Sequence, residues 1–307
     1  MLTKPKISII SPSKNTGRFA KETIESIICQ SYPDWEHIVV DGVSTDETMD
    51  VIRQYSHIRW ISEEDSGPDE AFRKGLAMAK GEYVMFCGIS DGYLDRNWFN
   101  RCVNILDNNP EIALVWGFPQ YMSEDGILGR IAYDYFFDEP PPKGKDFVYY
   151  WLKTHFHFPE GNFCVRKNVM EDCFPLVDPK KVGSECELLT FNYNFNTLGY
   201  LPYFIPVVAN YGRIHHDAGG QTQMADGRMQ LWVERYHNDI EKYTEQLVKG
   251  KVIYIYRDGF GNVLPNGLDQ IKVLTHIREQ RIKKVFSCLM PSNVLQIGTK
   301  LFTRLLH

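Results

Sequence analysis

The stretch from Trp60 to Asp95, WISEEDSGPDEAFRKGLAMAKGEYVMFCGISDGYLD, decides how the rest of the chain is read. It opens on an acidic turn with Asp65, Gly67 and Asp69. Apolar residues then recur at Ala71, Phe72, Leu76 and Ala79, the spacing of one helix face, and Gly81 closes that helix. Tyr83 to Cys87 reads as a buried strand and runs out into Ser90-Asp91-Gly92, so a carboxylate arrives at the carboxyl end of a strand. In open α/β sheets that edge is where ligands collect. Asp is also common in turns for backbone hydrogen bonding alone, so Asp91 has to be weighed with its neighbours.

Upstream, Lys6 to Ser11 (KISIIS) is short, β-branched and bounded by Pro12, as a buried parallel strand would be. The polar turn from Pro12 to Gly17 leads into a helical pattern from Phe19 to Gln30, which Pro33 stops. Glu36 to Val40 is a second strand, ending on Asp41. Ser44 or Thr45, with Glu47 or Thr48, can start a helix over Glu47 to Tyr55, and Arg59 to Ser62 is a third strand. Strands and helices alternating at these lengths predict a doubly wound sheet. Asp41, Asp65, Asp69 and Asp91 then share one rim, where they repel unless a cation or hydrogen-bond donors sit among them. Turn-forming and helix-capping roles are the alternative, more so for Asp65 and Asp69 than for Asp41 and Asp91.

The totals exclude several classes. With 307 residues, 43% of them apolar, the chain suits one large or two modest domains. A formal charge of -5 argues against a general nucleic-acid binder, which needs a basic surface for phosphates. The opening Met1 to Lys6 has no signal-peptide pattern, and no apolar run approaches the roughly 20 residues of a membrane span. Seven cysteines without C-x-x-C pairing, among them Cys29, Cys87 and Cys102 in apolar segments, read as reduced core thiols, and the expected location is cytoplasmic. No GxxxxGK is present, which sets aside a P-loop enzyme.

Taken together, ISIISPSKN, IVVDGVSTDET, EEDSGPDEAFRKGLAMAKGEYVMFCGISD and NPEIALVWG resemble the inverting glycosyltransferases of family 2, closely from about Lys6 to Gly117 and more loosely to Thr222. The resemblance implies an α/β chain of the GT-A fold, a Rossmann-like doubly wound mixed sheet with a helical and β-hairpin C-terminal extension. Residues 1–228 would form the catalytic domain, with 1–117 the nucleotide-binding half and 118–228 the acceptor half, and 229–307 the extension. It places Pro12, Asn15 and Asp41 at the base and ribose, and Asp65, Asp69 and Arg73 along the nucleotide. Asp91 would hold a divalent metal, Mn²⁺ or Mg²⁺, on the diphosphate. Members usually carry an acid where this chain has Ser90, on the ribose side.

The resemblance also implies an acceptor-side base. Gly183-Ser184-Glu185-Cys186-Glu187-Leu188-Leu189 makes Glu185 the expected base, with Glu187 as rival, although both also suit a first helical turn as acids favoured by the helix dipole. In Tyr211-Gly212-Arg213-Ile214-His215-His216 the resemblance to the family's Arg-x-His implies His215, ahead of His216, as a ligand of metal or diphosphate on a mobile loop, while Arg213 can as well be a surface charge. The implied reaction is a single inverting displacement, with a carboxylate taking the acceptor's proton. The donor is expected to be a nucleoside diphosphate sugar, most simply a UDP-sugar, and the acceptor a hydroxyl of a surface glycan or its lipid-linked precursor. A non-catalytic nucleotide-binding or scaffold relative is the alternative, kept open by Ser90. A nucleotidyltransferase would show a glycine-rich loop with Arg and Lys where Ser11-Pro12-Ser13-Lys14-Asn15 stands.

From Met229 the resemblance fades, and there and in some earlier segments the residues are read from pattern alone. Met229 to Val248 reads as a helix with Leu231, Trp232, Tyr236, Ile240, Tyr243 and Leu247 on one face, and Phe204 to Ala209 as a strand placed at an edge by Pro206. Lys251 to Leu264 alternates around an Asp-Gly turn, as a hairpin does. The tail repeats Val294, Ile297, Leu301 and Leu305 at helical spacing among Arg281, Lys283, Lys284, Lys300 and Arg304. Such a basic amphipathic stretch either packs on the enzyme or on a partner subunit of a homo-oligomer, or lies peripherally on the anionic inner face of a membrane. Tyr133, Tyr135, Phe136, Tyr149, Tyr150 and Trp151 suit either sugar stacking or the core.

Overall fold

In a computed structural model of the chain, the structure describes residues 4–137, 140–159, 161–174, 187–216, 226–265, 267, 268 and 273. Four parallel strands come first: β1 (Ile7–Ser13), β2 (Trp35–Asp41), β3 (Ile58–Ser62) and β4 (Tyr83–Phe86). Helices α1 (Gly17–Ile28), α2 (Thr48–Ile52) and α3 (Pro68–Met78) connect them. Ala20 and Ile24 of α1 cluster with Met49 and Ile52 of α2 on Val39, whereas α3 lies on the side of Ile10 and Val40. The sheet is therefore covered on both faces, which is why β1, β2 and β4 are buried over most of their length. On the α3 side a β-carbon at Gly75 would stand 2.3 Å from Ile10 Cγ2, so only glycine lets that helix approach.

The second half adds β5 (Gly92–Tyr93), α4 (Trp98–Asn108), β6 (Ile112–Ser123), β7 (Leu128–Ile131), α5 (Phe147–Thr154), β8 (Phe163–Arg166), α6 (Lys167–Cys173), α7 (Glu187–Thr197), β9 (Leu201–Ile214) and α8 (Arg228–Val248). Among the described residues, nine strands form one mixed sheet in the order β3-β2-β1-β4-β8-β6-β9-β5, with β7 paired to β6. β8 enters antiparallel between β4 and β6, so the two halves of the chain share a single core. Trp98, Trp116 and Trp151 are fully buried in it.

Several local expectations are refined. β9 is longer than Phe204 to Ala209, and its register against β6 shifts between Phe204 and Val208, where Pro206 has no ladder bond to spoil. The helix after Asp41 is held neither by Ser44 nor by Thr45: Asp46 accepts from the Thr48 amide and hydroxyl. Leu231 is 65% exposed, while Tyr236, Ile240, Tyr243 and Leu247 of α8 are buried as expected. The hairpin is short, a bridge between Arg257 and Val263 around the Asp258 turn. Phe136 and Trp151 are core, and Tyr133, Tyr149 and Tyr150 pack against it, which favours the structural reading of that aromatic run. Cys29 is exposed, unlike the buried Cys87 and Cys102. The basic tail from Arg281 lies outside the described residues.

His37 on β2 is fully buried, with Nε2 2.9 Å from Ser11 Oγ, and burial pushes its pKa down to about 3. The folded chain therefore keeps His37 neutral while the unfolded chain protonates it near pH 6.5. Stability present above pH 6.5 is lost as pH falls towards 3, at a slope of up to about 1.4 kcal/mol per pH unit. His37→Gln, which keeps a donor for Ser11, is expected to flatten that slope in urea melts taken at pH 7 and pH 5.

Candidate active site

The carboxyl ends of β1, β2 and β4 meet at one rim, and hydrogen bonds lock the turns that leave them. The Gly42 amide donates to Ser13 O at 2.8 Å, joining the ends of β1 and β2. The Ile89 amide donates to Pro12 O at 3.1 Å, joining the end of β1 to the Ser90-Asp91 turn. Pro12, itself buried, thus sets the floor between the two acids at Asp41 and Asp91.

Asp41 is fully buried. Its Oδ1 accepts from Ser44 Oγ at 2.5 Å, and its Oδ2 from the Ser44 amide at 3.0 Å and Ser62 Oγ at 2.7 Å. Ser44 Oγ in turn accepts from the Asn15 amide at 2.8 Å, and Asn15 Oδ1 accepts from the Thr45 amide at 2.9 Å. Asn15 holds this position in the left-handed region, φ 54°, which asparagine tolerates better than most side chains. Asn15 and Asp41 are therefore coupled through Ser44, with Asn15 exposed above a carboxylate that shapes the turn. Asp65 stands beside them: its Oδ2 lies 2.8 Å from where a β-carbon at Gly42 would be, and Oδ1 accepts from the Gly67 amide at 2.9 Å. Burial pushes its pKa up.

Asp91 forms the other end of the rim. It is half-buried, with Oδ1 accepting from the Arg213 amide at 3.0 Å and its main-chain carbonyl from Thr23 Oγ1 at 2.6 Å. Its Oδ2 is turned towards two glycines, 3.5 Å and 3.9 Å from the places β-carbons would occupy at Gly88 and Gly161. Gly161 has φ 73° and is carried by Asn162, fully buried, whose Oδ1 accepts from the Gly117 amide at 2.6 Å and whose Nδ2 donates to Asn210 Oδ1 at 2.5 Å. Desolvation raises the Asp91 pKa to about 6, against the pull of the Arg213 amide, the Arg213 charge and the Ser90 hydroxyl.

Between the two ends, α3 carries Asp69 and, one turn on, a half-buried Arg73. Asp69 lines a cleft together with Phe72, Phe86, Gly161, Phe163 and Phe174. His215 follows β9 two residues beyond Arg213, is 5% exposed and packs its ring 4.9 Å from that of Phe19. His216 is exposed and lies 3.3 Å from Glu124 Oε2. Arg213 is no surface charge: it is buried, and its side chain donates to Ser90 O, Ser123 O, Glu124 O and Glu22. Glu185 and the side chain of Glu187 lie outside the described residues.

A face of α1 that carries none of the expected site residues also reaches this end of the rim. Phe19, Glu22, Thr23 and Ser26 recur at helical spacing, and each touches the Asp91 end: Phe19 meets His215 and Arg213, Glu22 pairs with Arg213, Thr23 holds Asp91 O, and Ser26 Oγ accepts from the Tyr93 amide at 3.1 Å. The signal in the sequence is the polar residues interleaved on that stripe, which a pure core helix would not carry.

Among the described residues no three His, Cys, Asp or Glu side chains gather as a ready-made metal cage. A hard cation that is held by one carboxylate and by substrate phosphates needs no such cage. Asp91 fits that donor set: an oxygen ligand, ionised above about pH 6, with Oδ2 facing a cradle kept open by two glycines.

Comparison with known proteins bears on the family and the fold. The Bacillus subtilis glycosyltransferase TuaG, named for teichuronic acid biosynthesis, is 40% identical over 131 residues, covering 40% of this chain and 50% of its own. The chain thus spans half the length of that relative. The solved structure of Staphylococcus aureus TarS 1-349 with UDP-GlcNAc superposes with a TM-score of 0.54 at 18% identity, over 69% of this chain and 60% of that one. The Pyrobaculum calidifontis mannosyltransferase PcManGT with GDP-Man and Mn²⁺ gives 0.52 at 16% identity, over 76% and 64%. These likenesses bear out the GT-A fold. Residues 8–174 match the family described as glycosyl transferase family 2, and the chain belongs to that family.

Proposed function

We propose that the chain is a metal-dependent inverting glycosyltransferase, moving a sugar from a nucleoside diphosphate sugar to a hydroxyl of a surface glycan or a lipid-linked precursor. The observation that carries this reading is Asp91: a carboxylate in the turn between β4 and β5, fixed through Oδ1 and its main chain, with Oδ2 left facing Gly88 and Gly161. UDP is the preferred donor nucleotide, in keeping with the TarS complex, and the surface-glycan acceptor is in keeping with the name of TuaG.

In this reading Asn15, over the Asp41–Ser44 turn, borders the nucleoside, with Asp65 beside it and Asp69 and Arg73 along the nucleotide. Pro12 and Ser90 shape the backbone between base and ribose. Asp91 holds Mn²⁺ or Mg²⁺, with His215 as a further ligand of metal or diphosphate. When bound, the cation offsets the charge that develops on the leaving diphosphate. Glu185 takes the proton from the acceptor hydroxyl as its oxygen attacks the anomeric carbon from the face opposite the diphosphate. One displacement then inverts the configuration. Residues 1–117 would serve the nucleotide and 118–228 the acceptor. The location is taken as cytoplasmic, with the basic tail as the part able to rest on an anionic membrane face; among the described residues no helix is long and apolar enough to cross one.

Calorimetric titration with UDP, GDP and CDP, each with Mn²⁺ and again with chelator, tests the donor. Binding of UDP that needs Mn²⁺ is expected. Absence of binding by any of the three nucleotides would turn the reading towards a non-catalytic relative that has lost its donor site with the acid at position 90.

A further inference from the structure

We propose that Arg213 is a positioning residue for Asp91, and that its ion pair with Glu22 of α1 keeps it in that role. The inference rests on the donor-site reading above. The Arg213 side chain is 2% exposed, and its guanidinium is committed in several directions at once. Nε donates to Ser90 O at 3.1 Å, Nη1 to Ser123 O at 3.2 Å and Glu124 O at 3.1 Å, and Nη2 to Glu22 Oε2. The planar group also lies 4.8 Å from the Phe19 ring and 5.5 Å from that of Tyr211. Its own amide donates to Asp91 Oδ1 at 3.0 Å.

One residue thus grips the carbonyl before Asp91 and one of its carboxylate oxygens, while Thr23 of the same α1 face grips the Asp91 carbonyl. These contacts leave Oδ2 as the oxygen turned to the glycine cradle. With its donors spent on three main-chain carbonyls and Glu22, the guanidinium holds the rim together from behind. A phosphate could recruit it only by breaking that set. A buried guanidinium needs a compensating charge, because an unpaired one costs several kcal/mol. Glu22 supplies it from the half-exposed side of α1. Lysine cannot replace the fork, since one ammonium cannot reach acceptors spread over three segments.

The test measures UDP binding as a function of Mn²⁺ concentration by calorimetry, for the wild type, Arg213→Lys, Arg213→Met and Glu22→Gln, with thermal melts alongside. Outer partners of a metal ligand typically set affinity by 10–100-fold, so the Mn²⁺ midpoint is expected to rise by about that factor in both Arg213 variants, and by less in Glu22→Gln. UDP affinity at saturating Mn²⁺ is expected to return to the wild-type value, which a generally damaged fold would not allow. A midpoint unchanged in Glu22→Gln and Arg213→Lys would overturn the inference, as would UDP affinity lost at every Mn²⁺ concentration in Glu22→Gln. A wild type that binds no UDP with Mn²⁺ would instead overturn the donor-site reading itself, and this inference with it.

Discussion

Asp91→Asn is expected to lower transfer by about a thousandfold, the loss that follows when roughly 4 kcal/mol of metal-derived charge stabilisation is removed. Asparagine keeps the oxygen that accepts from the Arg213 amide, so the turn survives and only the charge goes. The effect on stability runs the other way. Desolvation raises the Asp91 pKa from 3.8 to about 6, so the folded chain binds that proton more tightly than the unfolded chain does. Stability contributed by the protonated form is full below pH 3.8 and is lost as pH rises through 6, leaving the ionised group as a cost at neutral pH. The metal-free variant is therefore expected to melt no lower than the wild type at pH 7 while failing to bind Mn²⁺ with UDP. Active sites commonly store this kind of conflict between stability and function. Wild-type Mn²⁺ affinity is expected to fall as pH drops below about 6, following protonation of Asp91. A variant that still shows Mn²⁺-dependent UDP binding would remove Asp91 from the metal position.

Glu185→Gln is expected to lower turnover by about 10²–10⁴-fold, the usual worth of a positioned general base, with UDP binding in the presence of Mn²⁺ nearly intact. Glu185 lies outside the described residues, but the ends of the segment that holds it do not. The chain leaves after Phe174, whose ring is 5.2 Å from that of Phe72 on α3, and returns at α7. Asn192 of α7 accepts from the Phe158 amide at 2.6 Å, and Asn194 donates to Cys173 O at 2.9 Å. Both ends are therefore anchored around the loop that carries Gly161, which faces Asp91. Glu187→Gln is the control for the rival base. Full turnover in Glu185→Gln together with its loss in Glu187→Gln would exchange the two roles, and the readout is steady-state transfer to acceptor set against calorimetric UDP affinity.

Much of the fold up to β4 was legible because it is written in local pattern. Short segments rich in apolar residues mark the buried strands, and the polar turns after them mark the edge where ligands collect. Asp41 and Asp91 could be placed at strand ends from that pattern alone. Their surroundings could not. Asp41 is fully buried, with both oxygens taken by Ser44 and Ser62, whereas Asp91 turns Oδ2 towards Gly88 and Gly161. The difference lies in which distant residues pack on each turn.

The sequence by itself determined the alternation of strands and helices up to β4, the helical run of α8, and the acids at the carboxyl rim, because periodicity and turn chemistry act over a few residues. Only the tertiary structure decided that β8 enters antiparallel beside β4, that Gly161 faces Asp91, and that Arg213 lies buried against Glu22, 191 residues away in the chain. Contacts at such separation are selected by the packing of a shared core and by the need to satisfy each buried polar group, and neither leaves a repeating mark in the sequence.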